Sequence, residues 1–154
     1  MAVTPVNEPS EATAAQDALG GKVRVVVVTP ERAAFDGLGE FVVLPMFDGE
    51  LGVLPGRSPL IGRLGAGELR IRSATGTTRF YVEPGFAQVQ ANVVTVLTAR
   101  AVKAEAVTAA AAEQAAATAD ALPGGTAAER AGKDRARERA QGMKKVAAKN
   151  AAAV

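Results

Sequence analysis

The feature that most constrains the fold is an abrupt change in side-chain size near Ala101. From Lys22 to Thr98 the chain holds almost all of its large apolar residues, in short runs of Val, Ile, Leu and Phe. Gly and Pro cut these runs about every 8 to 12 residues, the spacing of an all-β sandwich or barrel. After Arg100 the composition becomes alanine with scattered charge, and alanine favours helix because it loses no side-chain entropy on ordering. Before Lys22, residues such as Pro5, Pro9 and Ser10 among small and acidic neighbours offer little to bury, so ordering entropy wins. The organisation read from composition is a disordered arm over 1–21, a β-sandwich over 22–100 and a helical hairpin over 101–154.

Within the middle segment, Glu68-Leu69-Arg70-Ile71-Arg72-Ser73 alternates as a strand with Leu69 and Ile71 on one face and Arg70 and Arg72 on a wet face. A Gly-containing turn over Ala74 to Thr77 then leads into Thr78 to Glu83, predicting an antiparallel hairpin. Pro84-Gly85 turns the chain again. Phe86 to Ala91 and Val93 to Thr98 form a second pair around Asn92, a residue that tolerates positive φ. Val23 to Thr29 and Phe41 to Leu44 are apolar on both faces, which predicts strands buried between two layers.

The alanine-rich segment predicts two helices. The first is expected from about Lys103 to Ala121, stopped by Leu122-Pro123-Gly124-Gly125. The second opens on Thr126-Ala127-Ala128-Glu129, a capping box. Its apolar stripe, Ala136, Ala140, Met143 and Ala147, is narrow and made mostly of methyl groups. Such a hairpin buries little, and Gly132 and Gly142 weaken it by about 1 kcal/mol each relative to alanine. It is expected to be weakly held and able to leave its docking site.

Composition also limits the chemistry. The 154 residues include no cysteine and no histidine, which excludes disulfides, thiolate nucleophiles, Cys/His zinc sites and His-based dyads or triads. The glycine-dense segment Asp48 to Leu60 lacks the Lys-Ser/Thr ending of a phosphate loop and runs into Pro59. It reads as stiff turns that hold Glu50 and Arg57 outward. Asp36, Asp48 and Glu50 sit in turn-like contexts with no converging spacing, and Ser58 lacks a nucleophile elbow. No active site and no cofactor are expected. No apolar run approaches the roughly 20 residues of a spanning helix, so direct membrane insertion is not expected. The acidic residues Glu8, Glu11 and Asp17, with no Lys or Arg before Lys22, fit neither a secretory signal nor a transit peptide. From Thr126 onward eight cations stand against three carboxylates, a net of +5. A basic helix of this kind suits nucleic acid, an anionic membrane or an acidic protein surface, or is simply solvated. The absence of interleaved aromatics disfavours single-stranded nucleic acid.

Taken together, Phe35-Asp36-Gly37 and Gly49-Glu50-Leu51-Gly52-Val53-Leu54-Pro55-Gly56-Arg57-Ser58-Pro59-Leu60 resemble the epsilon subunit of F-type ATP synthases. Leu64 to Ile71, Val82 to Val89 and Asn92 to Leu97 continue the likeness in order and spacing, and beyond Ala101 the likeness is architectural only. The resemblance implies an N-terminal sandwich of about ten strands followed by a two-helix antiparallel hairpin. It also implies a non-catalytic central-stalk subunit that grips the gamma subunit and the c-subunit ring and transmits ion-driven rotation, without binding nucleic acid. Localisation would be peripheral, on the cytoplasmic face of the bacterial plasma membrane. By position, Glu50, Leu51, Gly52, Arg57, Ser58 and Pro59 are implied as c-ring contacts. Arg135, Arg137 and Arg139 are implied as contacts through which the hairpin opposes ATP hydrolysis at a beta subunit of the alpha/beta catalytic head.

Two departures from the family pattern matter. Arg57 stands where the family commonly has histidine, so a permanent forked cation replaces a titratable ring. The stretch Ala104 to Ala110 lacks the Asp and Arg with which some relatives hold ATP, so weak or no ATP binding is expected. The competing reading is a free-standing β-sandwich binding module with a basic helical tail for nucleic acid or acidic proteins, which leaves the ordered strand motifs unexplained.

Overall fold

Ten strands and two helices are described by the computed structural model, which covers residues 19–152. The arm expected over 1–21 lies outside the described residues except for its last three. The strands are β1 (Val23–Val28), β2 (Ala33–Gly39), β3 (Phe41–Met46), β4 (Gly49–Val53), β5 (Leu60–Leu64), β6 (Gly67–Ser73), β7 (Gly76–Val82), β8 (Gly85–Gln90), β9 (Val93–Thr98) and β10 (Ala101–Lys103). A short 3-10 turn (Ala104–Ala106) leads to helices α1 (Ala109–Ala121) and α2 (Ala127–Ala152).

The strands run in the order β10-β7-β6-β3-β5-β8-β9-β1-β2, with β4 paired to β3. Between β3 and β5 the ladder thins to one pair, Met46 with Leu64, and there the sheet folds over on itself. One layer holds β10, β7, β6, β3 and β4; the other holds β5, β8, β9, β1 and β2. Among the described strands every pairing is antiparallel except β1 with β9. Side chains alternate across each strand, so Val23, Val25 and Val27 meet Leu69, Ile71, Phe80 and Val82 in a common core. Phe35 and Phe80 meet edge to face across the layers, ring centroids 5.6 Å apart, a favoured aromatic geometry. The all-β sandwich with a two-helix appendage is thus the fold that the run lengths predicted.

The turns follow local chemistry. Ala91 and Asn92 both adopt positive φ, 50° and 62°, making the two-residue turn between β8 and β9 that matches the twist of the strands. Gly85 is required by a close approach: a Cβ there would meet the Leu97 carbonyl oxygen at 1.9 Å. At the second helix the Thr126 hydroxyl accepts from the Glu129 backbone N–H at 3.1 Å, and the Glu129 carboxylate accepts from the Thr126 N–H at 2.9 Å. That is the capping box read from the sequence.

Three expectations need correction. The first helix begins at Ala109, not Lys103. Ala101 to Lys103 add a strand to β7, and the Thr108 hydroxyl accepts from the Ala111 N–H at 3.1 Å. Sheet pairing and a cap decide the boundary where alanine propensity alone does not. Second, β1 is not buried on both faces, because Arg24 is exposed and Val26 and Val28 are only half-buried. Third, Asp36 and Glu50 lie in strands, not turns.

Candidate functional site

The alternation that buries one face of each layer leaves two outer faces, and they differ in chemistry. On β7, Phe80 and Val82 point into the core, so Tyr81 points out, as do Glu68 and Arg70 on β6. The hairpin covers this face. Tyr81 is fully buried with Ala104, Val107, Ala112, Val146 and Ala147 in a second small core, and its hydroxyl donates to the Arg139 backbone carbonyl at 3.2 Å. Burial pushes the Tyr81 phenol well above the ordinary tyrosine range. The stripe of Ala136, Ala140, Met143 and Ala147 lies on the inward side of α2, with Ala140 and Ala147 buried.

Beside this small core lies a charge cluster. The Glu68 carboxylate, only 5% exposed, accepts from Arg79, from Arg70 Nη1 at 3.2 Å and from Lys149 Nζ at 3.3 Å. Arg70 in turn forks onto Glu50, with bonds of 2.9 and 3.1 Å, the bidentate geometry that guanidinium and carboxylate share. Asn150 accepts from Arg79 Nη1 at 3.0 Å and donates to the Ala104 and Val107 carbonyls at 2.6 and 3.1 Å. Burial pushes the Glu68 carboxyl up, but the bonds from Arg79, Arg70 and Lys149 together outweigh it and hold the group below its ordinary value. Arg70 foremost holds Glu50 low as well.

Among the described residues, no helix lies on the outer face of the other layer. Register places Arg63 beside Phe86, Phe86 beside Leu97 and Leu97 beside Val28 in one row across four strands. Ile61, 73% exposed, lies in the next row, and Phe86 and Leu97 are each at least half exposed. Phe47 extends the patch under the Arg63 guanidinium, 4.6 Å from ring centroid to cation. The apolar outward residues of β1 are explained here, because Val26 and Val28 belong to this patch.

The c-ring candidates divide between two places. Glu50 is the second residue of β4, exposed yet engaged with Arg70 beside the end of α2. Leu51 is half-buried against the core, and the exposed Gly52 packs on the Phe41 ring. Arg57, Ser58 and Pro59 are exposed beyond the other end of β4, in a loop fixed where the Gly56 N–H donates to Asn92 Oδ1 at 2.7 Å. Among the hairpin candidates, Arg137 pairs with Asp120 of α1 at 2.9 Å. Arg135 is exposed, and Arg139 is half-buried above Tyr81. The structure does not gather the three arginines at one point.

Residues 22–104 match the family model described as ATP synthase, Delta/Epsilon chain, beta-sandwich domain. The chain belongs to this delta/epsilon family. The match ends in the turn after β10, so the delta/epsilon domain includes the strand that sequence reading gave to the helix. An ATP synthase epsilon chain of Rhodopirellula baltica is 59% identical over 80 residues, covering 52% of this chain and 62% of that relative. The epsilon chain of Bordetella avium is 45% identical over 83 residues, covering 53% and 59%. The chain therefore spans about three-fifths of the length of these epsilon relatives. Among solved structures, a chain of the Euglena gracilis mitochondrial ATP synthase, seen with OSCP, F1 and c-ring, superposes with TM-score 0.66 at 22% identity, covering 81% of each chain. A chain of the Tetrahymena thermophila mitochondrial ATP synthase central stalk and c-ring gives 0.60 at 18%, covering 82% of this chain and 96% of that one. At such identities the likeness is one of delta/epsilon fold, and it extends over the hairpin as well as the sandwich.

The residues that sequence reading missed are the seat itself: Glu68, Arg70, Arg79, Tyr81, Lys149 and Asn150. A signal existed, because Glu68 and Arg70 share the outward face of a strand whose other face carries Leu69 and Ile71. Their partner, more than seventy positions away on α2, was not deducible.

Proposed function

We propose that this chain is a non-catalytic rotor subunit of an F-type ATP synthase, joining the gamma subunit to the c-subunit ring and passing ion-driven rotation between them. The observation that carries this reading is the uncovered apolar face of the delta/epsilon sandwich, the row Phe86, Leu97 and Val28 with Ile61 beside it. A contiguous exposed apolar patch marks a surface that is covered in use. Gamma is assigned to this face. The c ring is assigned to the surface of β4 and its following loop, with Glu50 and Arg57 as its charged contacts. The assembly holds the chain at the cytoplasmic face of the plasma membrane as a peripheral subunit. Among the described residues no helix is long and apolar enough to cross a membrane.

The hairpin is assigned a regulatory part. Arg135, Arg137 and Arg139 oppose ATP hydrolysis when α2 reaches the catalytic head, and that requires leaving the seat described above. The seat is small, with Tyr81, Val107 and Val146 as its larger buried members.

Because the chain has no cysteine, a single cysteine at position 57 gives a unique cross-linking handle. In membranes carrying the synthase, the expected product joins this chain to a c subunit. Co-purification with no rotor component would end the reading. Replacing the three arginines by alanine is expected to relieve inhibition of hydrolysis, and unchanged inhibition would remove the regulatory part alone.

A further inference from the structure

Glu50 belongs at once to the exposed β4 surface and to the cluster that seats α2. Arg70 Nη1 is shared, 3.1 Å from Glu50 and 3.2 Å from Glu68, and Glu68 Oε1 is shared between that nitrogen and Lys149 Nζ. Two carboxylates thus serve three cations: Arg70, Arg79 and Lys149. A groove open to solvent runs between the β4 surface and α2, lined by Pro45, Met46, Glu50, Ala66, Lys145 and Lys149 among others.

We infer that Glu50 couples the β4 surface to the hairpin, so that a cationic group of a partner engaging Glu50 loosens the C-terminal turns of α2. When Glu50 turns to an outside cation, Arg70 loses its forked partner and closes on Glu68. One buried carboxylate then faces three cations. Lys149 gives way first: it makes the longest contact of the three, through one flexible ammonium that is half exposed, whereas Arg79 binds through two guanidinium nitrogens. Its departure leaves Asn150 and the Val146–Ala147 contact as the remaining ties at that end of α2. The direction is fixed by charge: occupation of the β4 surface favours release of the hairpin, and a seated hairpin favours a Glu50 turned inward.

This rests on the reading of β4 as partner-facing, but the coupling lies within the chain and is measured without a partner. Glu50→Gln imposes the charge loss that engagement would cause. In the purified full-length chain, amide exchange over residues 145–150 is expected to quicken by about two- to fivefold, the scale of an exposed ion pair. Asp48→Asn, the same charge change in the adjoining turn, is expected to leave it unchanged. In a Lys149→Ala background, Glu50→Gln is expected to add nothing. The inference is overturned if Glu50→Gln has no effect, or has an equal effect with and without Lys149. Equal quickening of the β6 amides would also overturn it, because the strand and not the seat would then have given way. Failure of the position-57 cross-link to reach a c subunit bears on the surface assignment and leaves this coupling to stand or fall by its own measurement.

Discussion

Gly142 of α2 lies so close to Ala66 that a Cβ on it would come within 2.9 Å of the Ala66 backbone. The glycine that helix propensity marks as a weakness is where α2 packs closely on the bend that joins β5 to β6. Gly142→Ala is expected to raise intrinsic helicity by about 1 kcal/mol and yet displace α2 from the sandwich. Tyr81, the sole tyrosine in a chain without tryptophan, reports this directly. Helical far-ultraviolet circular dichroism should persist while the near-ultraviolet tyrosine band collapses to that of an exposed phenol.

The same phenol gives an alkaline signature. Its proton is held in the seated state and freed when the hairpin lifts, so the unseated state binds fewer protons above the ordinary tyrosine value of about 10. Docking stability is therefore level below that pH and falls as pH rises above it. Phenolate absorbance should appear late and together with loss of α2 protection. Tyr81→Phe should abolish the coupling.

In acid the sign reverses. Glu68 is held below the ordinary glutamate value, so its contribution is present above about pH 4.3 and is lost as pH falls through the lower native value. The Tyr81 signal should show the hairpin lifting in that range before the sandwich unfolds. Glu68→Gln should weaken docking at neutral pH and flatten the acid limb.

On the opposite layer, Phe86→Arg places a second cation beside Arg63 and removes the largest apolar member of the row. Because the outward face is already exposed, stability should change little, within about 0.5 kcal/mol. Recovery of this chain with gamma should be lost, and Gln88→Arg, in the next row, should have a smaller effect.

The Asn92 turn separates two roles in one side chain. Asn92→Gly keeps the positive φ but removes the acceptor for the Gly56 N–H, so exchange at Gly56 should quicken with little loss of stability. Asn92→Ala should also lose about 1 to 2 kcal/mol, because alanine lacks the local side-chain hydrogen bonding with which asparagine offsets the left-handed cost. Loss of the position-57 cross-link in both variants would tie the Arg57 loop to its anchor.

Much of this architecture was legible because it is local. The β6–β7 alternation, the turn at Asn92 and the Thr126–Glu129 box each depend on neighbours a few positions apart, where period and propensity act. What escaped depended on distant partners. Ala101 to Lys103 carry helix-favouring alanine and lysine, but β7 offers them a ladder, and Thr108 places the cap later. Val26 and Val28 looked buried because apolar character alone does not tell a core-facing side chain from one on an outer face. Glu50 read as an outward loop residue and is outward, but no spacing revealed that Arg70 grips it. Charge excess and helix position, which mark the three hairpin arginines, cannot tell Arg137 facing Asp120 from Arg139 lying over Tyr81.

The parallel ladder of β1 against β9 has a bearing on synthesis. While the chain emerges from the ribosome, the β1–β2 ribbon presents a bare strand edge until Val93 to Thr98 follow, some seventy residues later. Long-range pairing of this kind slows folding, and open edges invite association between nascent chains. The charged pair Arg24 and Asp36, on the outward side of that ribbon, keeps part of it hydrated during the wait.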